Sequence, residues 1–312
     1  MLKLFSGTGN PDLSQEVAQL LKISLSASEV VRFENSEVRV RIEEDVKNDI
    51  CAVIQPIANP TDTNLMEMFL FCDALRRQEA HKVIGIIPYF GYARQDIQHR
   101  EGECVSISVI IRFLESIGFN KVYTFDLHDE ATSGVFSIPF KDLTSLNVLA
   151  NDVKKTLGKS FNRDSVVVVS PDQGGIERTR NFGRFLYGDD YFSVSVIEKK
   201  RDLAHIHQSG ALNLFGDVKD KVAILVDDII TSGGTLIHAA NLCKEKGAKK
   251  IFAAIVHHDL SIKAPPKIQE SAIEKVFTTN TVKLKPEYNF EKLHEVSIAS
   301  IIAEELKTFK NV

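Results

Sequence analysis

Val222-Ala223-Ile224-Leu225-Val226-Asp227-Asp228-Ile229-Ile230-Thr231-Ser232-Gly233-Gly234-Thr235 is the stretch on which the fold turns. It opens as an unbroken apolar run, the mark of a strand covered on both faces. The run ends in two acids, Asp227 and Asp228. A turn of small hydroxylated residues and glycines follows, and a helical stretch then spans 235–246. Ligands of parallel α/β sheets bind at this carboxyl edge. Backbone N–H groups at the helix start, the hydroxyls of Thr231, Ser232 and Thr235, and the flexible Gly233 and Gly234 together suit a phosphate cradle. Two acids at the strand end suit a pair of hydroxyls, as on a ribose ring. The turn lacks Gly-Lys-Ser/Thr, so it is not a Walker A loop.

Working outward, similar apolar runs lie at 50–54, 82–87, 121–125, 165–169 and 250–256, with helical stretches at 64–78 and 106–116 between them. This alternation predicts an α/β fold with parallel sheets. The unit 50–54, 64–78, 82–87 resembles the unit 222–226, 235–246, 250–256, and both second strands follow a short basic lead-in. Two related domains are therefore expected. The place in the first unit that matches the acid pair reads Gln55-Pro56-Ile57-Ala58-Asn59-Pro60, without acids or glycines, so only the second is expected to carry the site. The polar stretch around 151–160 points to a boundary in that region. The expected domains are 1–147 and 148–296, with a terminal helix at about 297–312 returning to the first.

Composition narrows the function. A chain of 312 residues exceeds one ordinary domain, and 44% hydrophobic with 26% charged residues excludes wholesale disorder, collagen and a coiled-coil rod. The formal net charge of −4 argues against a non-specific nucleic-acid binder. No uncharged apolar run approaches the roughly 18 residues of a membrane span, and the amino-terminal apolar stretch is too short for a secretory signal. A cytoplasmic protein with no membrane partner is expected. Cys51, Cys72, Cys104 and Cys243 form no CxxC pair and have no His at zinc-finger spacing, so reduced thiols are expected.

Further segments carry chemistry. Tyr89-Phe90-Gly91-Tyr92-Ala93-Arg94-Gln95-Asp96 mixes aromatics with Arg, Gln and Asp after a buried strand, which suits a stacked base and a phosphate. His128 follows 121–125 among Asp126, Asp129 and Glu130, which favours a divalent cation with phosphate. Asp172 closes another strand, just before Gly174-Gly175. Glu198-Lys199-Lys200-Arg201-Asp202 alone reads as a solvated charge run.

Together with Arg32-Phe33-Glu34-Asn35-Ser36-Glu37, these segments match in order and spacing the ribose-phosphate pyrophosphokinases, and the 222–235 stretch resembles the phosphoribosyl-diphosphate loop of type I phosphoribosyltransferases. The resemblance covers essentially the whole chain. It implies two tandem phosphoribosyltransferase-like domains, each a mainly parallel sheet flanked by helices. It implies transfer of the β,γ-diphosphoryl group of ATP to ribose 5-phosphate, with Mg²⁺ on the nucleotide. By resemblance, Phe33, Asn35, Glu37, Arg94 and Gln95 bind ATP, the first three in a neighbouring subunit's site. His128 helps hold the Mg²⁺ on ATP, and Asp172 orients a second cation or the pentose hydroxyls. Lys199 and Arg201 close on the reacting phosphates. Asp227, Asp228, Thr231, Ser232, Gly233, Gly234 and Thr235 hold the ribose phosphate. A homo-oligomer, a hexamer built from dimers, is implied as well.

The chain departs from the family pattern at three places. Thr231 stands where an acid is usual. Ala131 and Ser133 replace two glutamines. His257-His258-Asp259-Leu260 lacks the usual Ser-Gly. The last two touch regions tied to phosphate and ADP regulation, which is not expected to carry over. Thr231 opens an alternative acceptor, a larger ribose 5-phosphate ester such as ADP-ribose. A non-catalytic regulatory paralogue is the further alternative.

Overall fold

The structure, a computed structural model, describes residues 1–98, 100–199 and 212–310. It divides into two compact units, Met1–Thr144 with Thr281–Lys283 and Ser297–Val312, and Ser145–Asn280 with Leu284–Val296.

The first unit runs β1 (Leu2–Ser6), α1 (Pro11–Leu21), β2 (Ser28–Arg32), β3 (Val38–Ile42), β4 (Ile50–Ile54), α2 (Thr61–Arg77), β5 (Lys82–Ile87), α3 (Ser106–Ile117), β6 (Lys121–Phe125) and β7 (Phe140–Leu143). Its main sheet has the order β1-β4-β5-β6-β7 and is parallel throughout. β2 and β3 form a separate antiparallel hairpin. Every residue of β4 is buried, as its unbroken apolar run requires. α3 buries Ile107, Ile110, Ile111 and Leu114, spaced three and four apart, and stops at Gly118, whose φ of 109° favours glycine.

The second unit runs α4 (Leu146–Leu157), β8 (Val166–Ser170), α5 (Ile176–Tyr187), β9 (Val194–Lys199), β10 (Leu212–Phe215), β11 (Val222–Ile229), α6 (Gly234–Glu245), β12 (Lys250–His257), α7 (Ala264–Gln269), β13 (Lys275–Thr279) and β14 (Leu293–Val296). The sheet order is β10-β9-β8-β11-β12-β13-β14, with only β10 antiparallel to its neighbour. Strand alternation sends Val167, Val169, Ala223, Leu225, Ala253 and Ile255 to the face covered by α6 and α7. It sends Val166, Val168, Ile224, Val226, Ala254 and Val256 to the face covered by α4 and α5. β11 is thus covered on both faces and paired on both edges. α8 (Ala299–Lys310) belongs to the first unit, where Ile302, Ala303 and Leu306 are buried and α8 packs against α1.

Two tandem α/β units of this kind are what the apolar runs predict. The elements not expected are β1 to β3, β7, β9, β10, β13 and β14, and α1, α4, α5 and α7. β11 also runs on to Ile229, where it pairs with His257, so the acids lie within the strand's last residues rather than beyond it. No helix among the described residues is long and apolar enough to cross a membrane. The cysteines are free thiols, and burial pushes those of Cys51, Cys72 and Cys243 up to about 12.

Candidate active site

The strand-end acids come first. β11 lies between β8 and β12, and its last residues include Asp227 and Asp228, whose carboxylates lie close enough to share one cation. Asp228 is buried and Asp227 is half-buried. The backbone N–H of Asp228 donates to Asp227 Oδ1 at 2.9 Å. Arg178, in the first turn of α5, faces both acids: its Nη1 lies 3.7 Å from Asp227 Oδ1 and 3.4 Å from Asp228 Oδ1. Burial, and next the charge of Asp228, hold the Asp227 carboxyl well above the usual carboxylate range, while Arg178 acts in the opposite direction.

The turn then delivers the helix start. Gly233 has φ 76° and precedes α6, whose first residue is Gly234. A Cβ at Gly233 would lie 3.1 Å from Ile268 Cγ1, so both backbone angle and space call for glycine there. The cap residue Gly233 offers no side chain to α6, and Gly234 N donates only a long 3.5 Å bond to Ser232 Oγ; Ser232 and Thr235 are both exposed. Thr231 is half-buried, and its carbonyl accepts from Ser261 N at 3.1 Å.

On the next strand, Asp172 follows β8 and is exposed. Its Oδ1 accepts from Gly175 N at 2.9 Å, which closes the turn into α5. A Cβ on Gly175 would come 3.0 Å from Ser170 Oγ and 4.0 Å from the Val226 carbonyl, so the Asp172 turn sits close against the end of β11. Lys199 is the last residue of β9, while Arg201 lies outside the described residues.

In the first unit, Arg94 and Gln95 line one cavity of about 710 Å³ with Pro60, Thr61, Asp62, Thr63, Tyr89 and Tyr92. Tyr92 has φ 68°, an uncommon angle for a bulky residue. Its hydroxyl donates to the Asp62 carboxylate, which ties the 88–96 turn to the start of α2. Gln95 is held by Ser106 Oγ, which donates to its Oε1 at 2.5 Å. His128 is exposed after β6, the neighbour of β5 in the sheet. Phe33, Asn35 and Glu37 sit at the tip of the β2–β3 hairpin and are all exposed, with the Arg39 guanidinium 5.8 Å from the centre of the Phe33 ring. They are not among the described residues lining the Arg94 cavity.

No three His, Cys, Asp or Glu side chains among the described residues gather into a cage for a metal. A hard divalent cation that keeps its waters and rests on substrate phosphates needs only one or two protein ligands; His128 and Asp172 are each exposed, one in each unit. Reading from sequence missed Arg178, Tyr92 and Asp62. Tyr92 lay inside a quoted motif, whereas Arg178 gave no local signal.

The architecture is that of a two-domain, phosphoribosyltransferase-like α/β protein, and comparison with known proteins narrows it further. A family model described as the N-terminal domain of ribose phosphate pyrophosphokinase matches residues 2–118. One described as the phosphoribosyl synthetase-associated domain matches 190–312. The ribose-phosphate pyrophosphokinase of Vibrio cholerae is 37% identical, over 99% of this chain and 96% of the relative. That of Clostridium perfringens is 37% identical, over 97% and 92%. The crystal structure of phosphoribosylpyrophosphate synthetase from Mycobacterium smegmatis superposes with a TM-score of 0.89 at 32% identity, covering 100% of this chain and 99% of that one. The chain belongs to the ribose-phosphate pyrophosphokinase family, ATP-dependent diphosphotransferases of nucleotide biosynthesis.

Proposed function

We propose that this chain transfers the β,γ-diphosphoryl group of ATP to the anomeric hydroxyl of ribose 5-phosphate. The hydroxyl oxygen bonds to the β-phosphorus, the α,β-bridging P–O bond breaks, the hydroxyl proton is released, and AMP leaves. The product is 5-phosphoribosyl 1-diphosphate. The observation that carries this reading is the pair Asp227 and Asp228 at the end of β11, followed directly by the glycine-led start of α6. A ribose phosphate needs both: acceptors for two hydroxyls and N–H donors for a phosphate.

In this reading Thr231, Ser232, Gly233, Gly234 and Thr235 grip the 5-phosphate, and Asp227 and Asp228 take the ring hydroxyls. Arg94 and Gln95 meet ATP in the first unit. Phe33, Asn35 and Glu37 present an exposed ring with polar companions to the adenine of a neighbouring subunit, which requires a homo-oligomer. Lys199 and Arg201 neutralise charge on the transferring group and on departing AMP. His128 and Asp172 would each offer a ligand to Mg²⁺, which supplies charge neutralisation on the ATP phosphates when bound. Positioning and electrostatics suffice for such a transfer, and no covalent intermediate is required. The absence of a membrane-crossing helix among the described residues suits a cytoplasmic enzyme.

A second reading rests on Thr231, a neutral side chain where the family pattern has an acid: the same transfer to a larger ribose 5-phosphate ester. One assay separates them. AMP release is measured with ATP and Mg²⁺ plus ribose 5-phosphate, ADP-ribose or no acceptor, and the products are identified by mass. Release with ribose 5-phosphate is expected. Release with ADP-ribose alone would transfer the proposal to the second reading, and release with neither, from folded protein, would leave a non-catalytic paralogue. Lys199→Ala is expected to lose at least about a hundredfold in turnover.

A further inference from the structure

Arg178 is placed where helix energetics alone would not put a cation. It is the third residue of α5, and the positive end of a helix disfavours basic side chains in the first turn. Its own turn offers a carboxylate, Glu177, but the structure directs that group to Arg184 at 3.2 Å and to Arg180 at 3.9 Å. Arg178 instead spans from the helix after β8 to the end of the adjacent strand β11. There it stands 3.4 Å from one acid and 3.7 Å from the other, with its side chain only 13% exposed.

One guanidinium nitrogen within 3.7 Å of both carboxylates makes Arg178 a counter-ion shared by the pair. Set beside two carboxylates that repel each other, the guanidinium restrains the repulsion that would splay them.

We propose that Arg178 is a positioning residue for sugar recognition: it holds Asp227 and Asp228 in the orientation that accepts two neighbouring ribose hydroxyls, and it does not itself touch the transferring phosphates. The proposal rests on the reading of Asp227 and Asp228 as the hydroxyl-binding pair, so the experiment tests that reading separately. Steady-state kinetics would be run on the full chain with ATP and ribose 5-phosphate. The variants are Arg178→Gln, Arg178→Lys, Asp228→Asn, and the double variant Arg178→Gln with Asp228→Asn, each checked for a cooperative melt.

Arg178→Gln is expected to raise KM for ribose 5-phosphate by about tenfold or more, with KM for ATP unchanged within about twofold. Arg178→Lys is expected to recover most of that loss, because it restores the charge. The double variant is expected to fall short of the product of the single effects, because the two residues act through one contact. A fall in kcat or a rise in KM for ATP alone would overturn the proposal and move Arg178 to the phosphates. Multiplicative effects in the double variant would also overturn it. If Asp228→Asn leaves KM for ribose 5-phosphate unchanged, the hydroxyl-binding reading fails, and the proposal with it. If Asp228→Asn raises that KM and Arg178→Gln does not, only the proposal fails. Should the Gln variant not fold, the Lys variant decides: no change in KM for ribose 5-phosphate, combined with a weaker response to ATP, overturns the proposal.

Discussion

Two adjacent carboxylates at the end of a covered strand repel each other, and one guanidinium does not cancel both. Asp227 bears the strain: burial and Asp228 both hold its proton more tightly than in an ordinary Asp. The sign for stability follows. A carboxyl whose folded pKa is raised is penalised once the unfolded chain ionises, above about pH 3.9. Asp227→Asn removes that penalty and can still accept from the Asp228 N–H. The variant is expected to melt about 2–4 °C higher at pH 7, with the advantage vanishing below about pH 4, while its KM for ribose 5-phosphate rises. Thermal melts against pH, alongside kinetics, check both halves of this trade of stability for function. Gly91 gives a second test. A Cβ there would lie 2.3 Å from the Ile57 carbonyl and 2.7 Å from Thr61 Cγ2, inside the turn that presents Arg94 and Gln95. Gly91→Ala is expected to cost about 1–3 kcal/mol in chemical denaturation and to raise KM for ATP. At this scale the acid pair and the glycines were legible because the motif is contiguous. Arg178 was not, because it lies outside the quoted motifs, on a helix that the apolar pattern did not announce. Only the packing of α5 beside β11 brings it to the acids.

Element by element, legibility follows burial. β4, β5, β6, β11 and β12 are apolar runs covered on both faces, and each stands where its run predicts. The β2–β3 hairpin has charges in its strands, as in Val38-Arg39-Val40-Arg41-Ile42, and does not join the main sheet. β10 and β14 lie at the sheet edges, and each has four residues. Such strands are decided by pairing partners distant in sequence, which a local window does not contain. α8 shows the same dependence on distant partners. Ile302, Ala303 and Leu306 are buried, and Lys310 Nζ donates to the Leu21 carbonyl at 2.6 Å, at the end of α1. Leu306 is fully buried, so Leu306→Ala is expected to lower the unfolding free energy by about 2–5 kcal/mol, measured by denaturant titration.

At the scale of the whole molecule, the two units repeat one order of elements. β1, α1, β2, β3, β4, α2, β5 is answered by β8, α5, β9, β10, β11, α6, β12. Counting from the first residues of β4 and β11, Gln55 stands at the place of Asp227, and Pro56 at that of Asp228. In the first unit that place is filled by the protein itself. Gln55 and Glu67 are fully buried; Glu67 accepts from Thr8 N at 2.6 Å and Thr8 Oγ1 at 2.7 Å, and Gln55 Oε1 accepts from Gly9 N at 2.8 Å. A Cβ at Gly7 would lie 2.2 Å from Gln55 Oε1, so the loop after β1 is sealed onto this network. Glu67→Ala would remove the acceptor of Thr8 and one acceptor of buried Gln55. It is expected to cost about 1–3 kcal/mol, checked by denaturation, while KM for ribose 5-phosphate stays near the parent value.

The paired hairpins have a consequence of their own. β2–β3 and β9–β10 hold the same slot in their respective halves, yet one stands apart as its own small sheet and the other extends the main one. A change in the length of the first hairpin's turn therefore leaves the register of its main sheet untouched, because β2 and β3 pair with each other apart from it. A change between β9 and β10 acts instead on a strand that β8 holds in register, and is felt along the sheet that carries the acid pair.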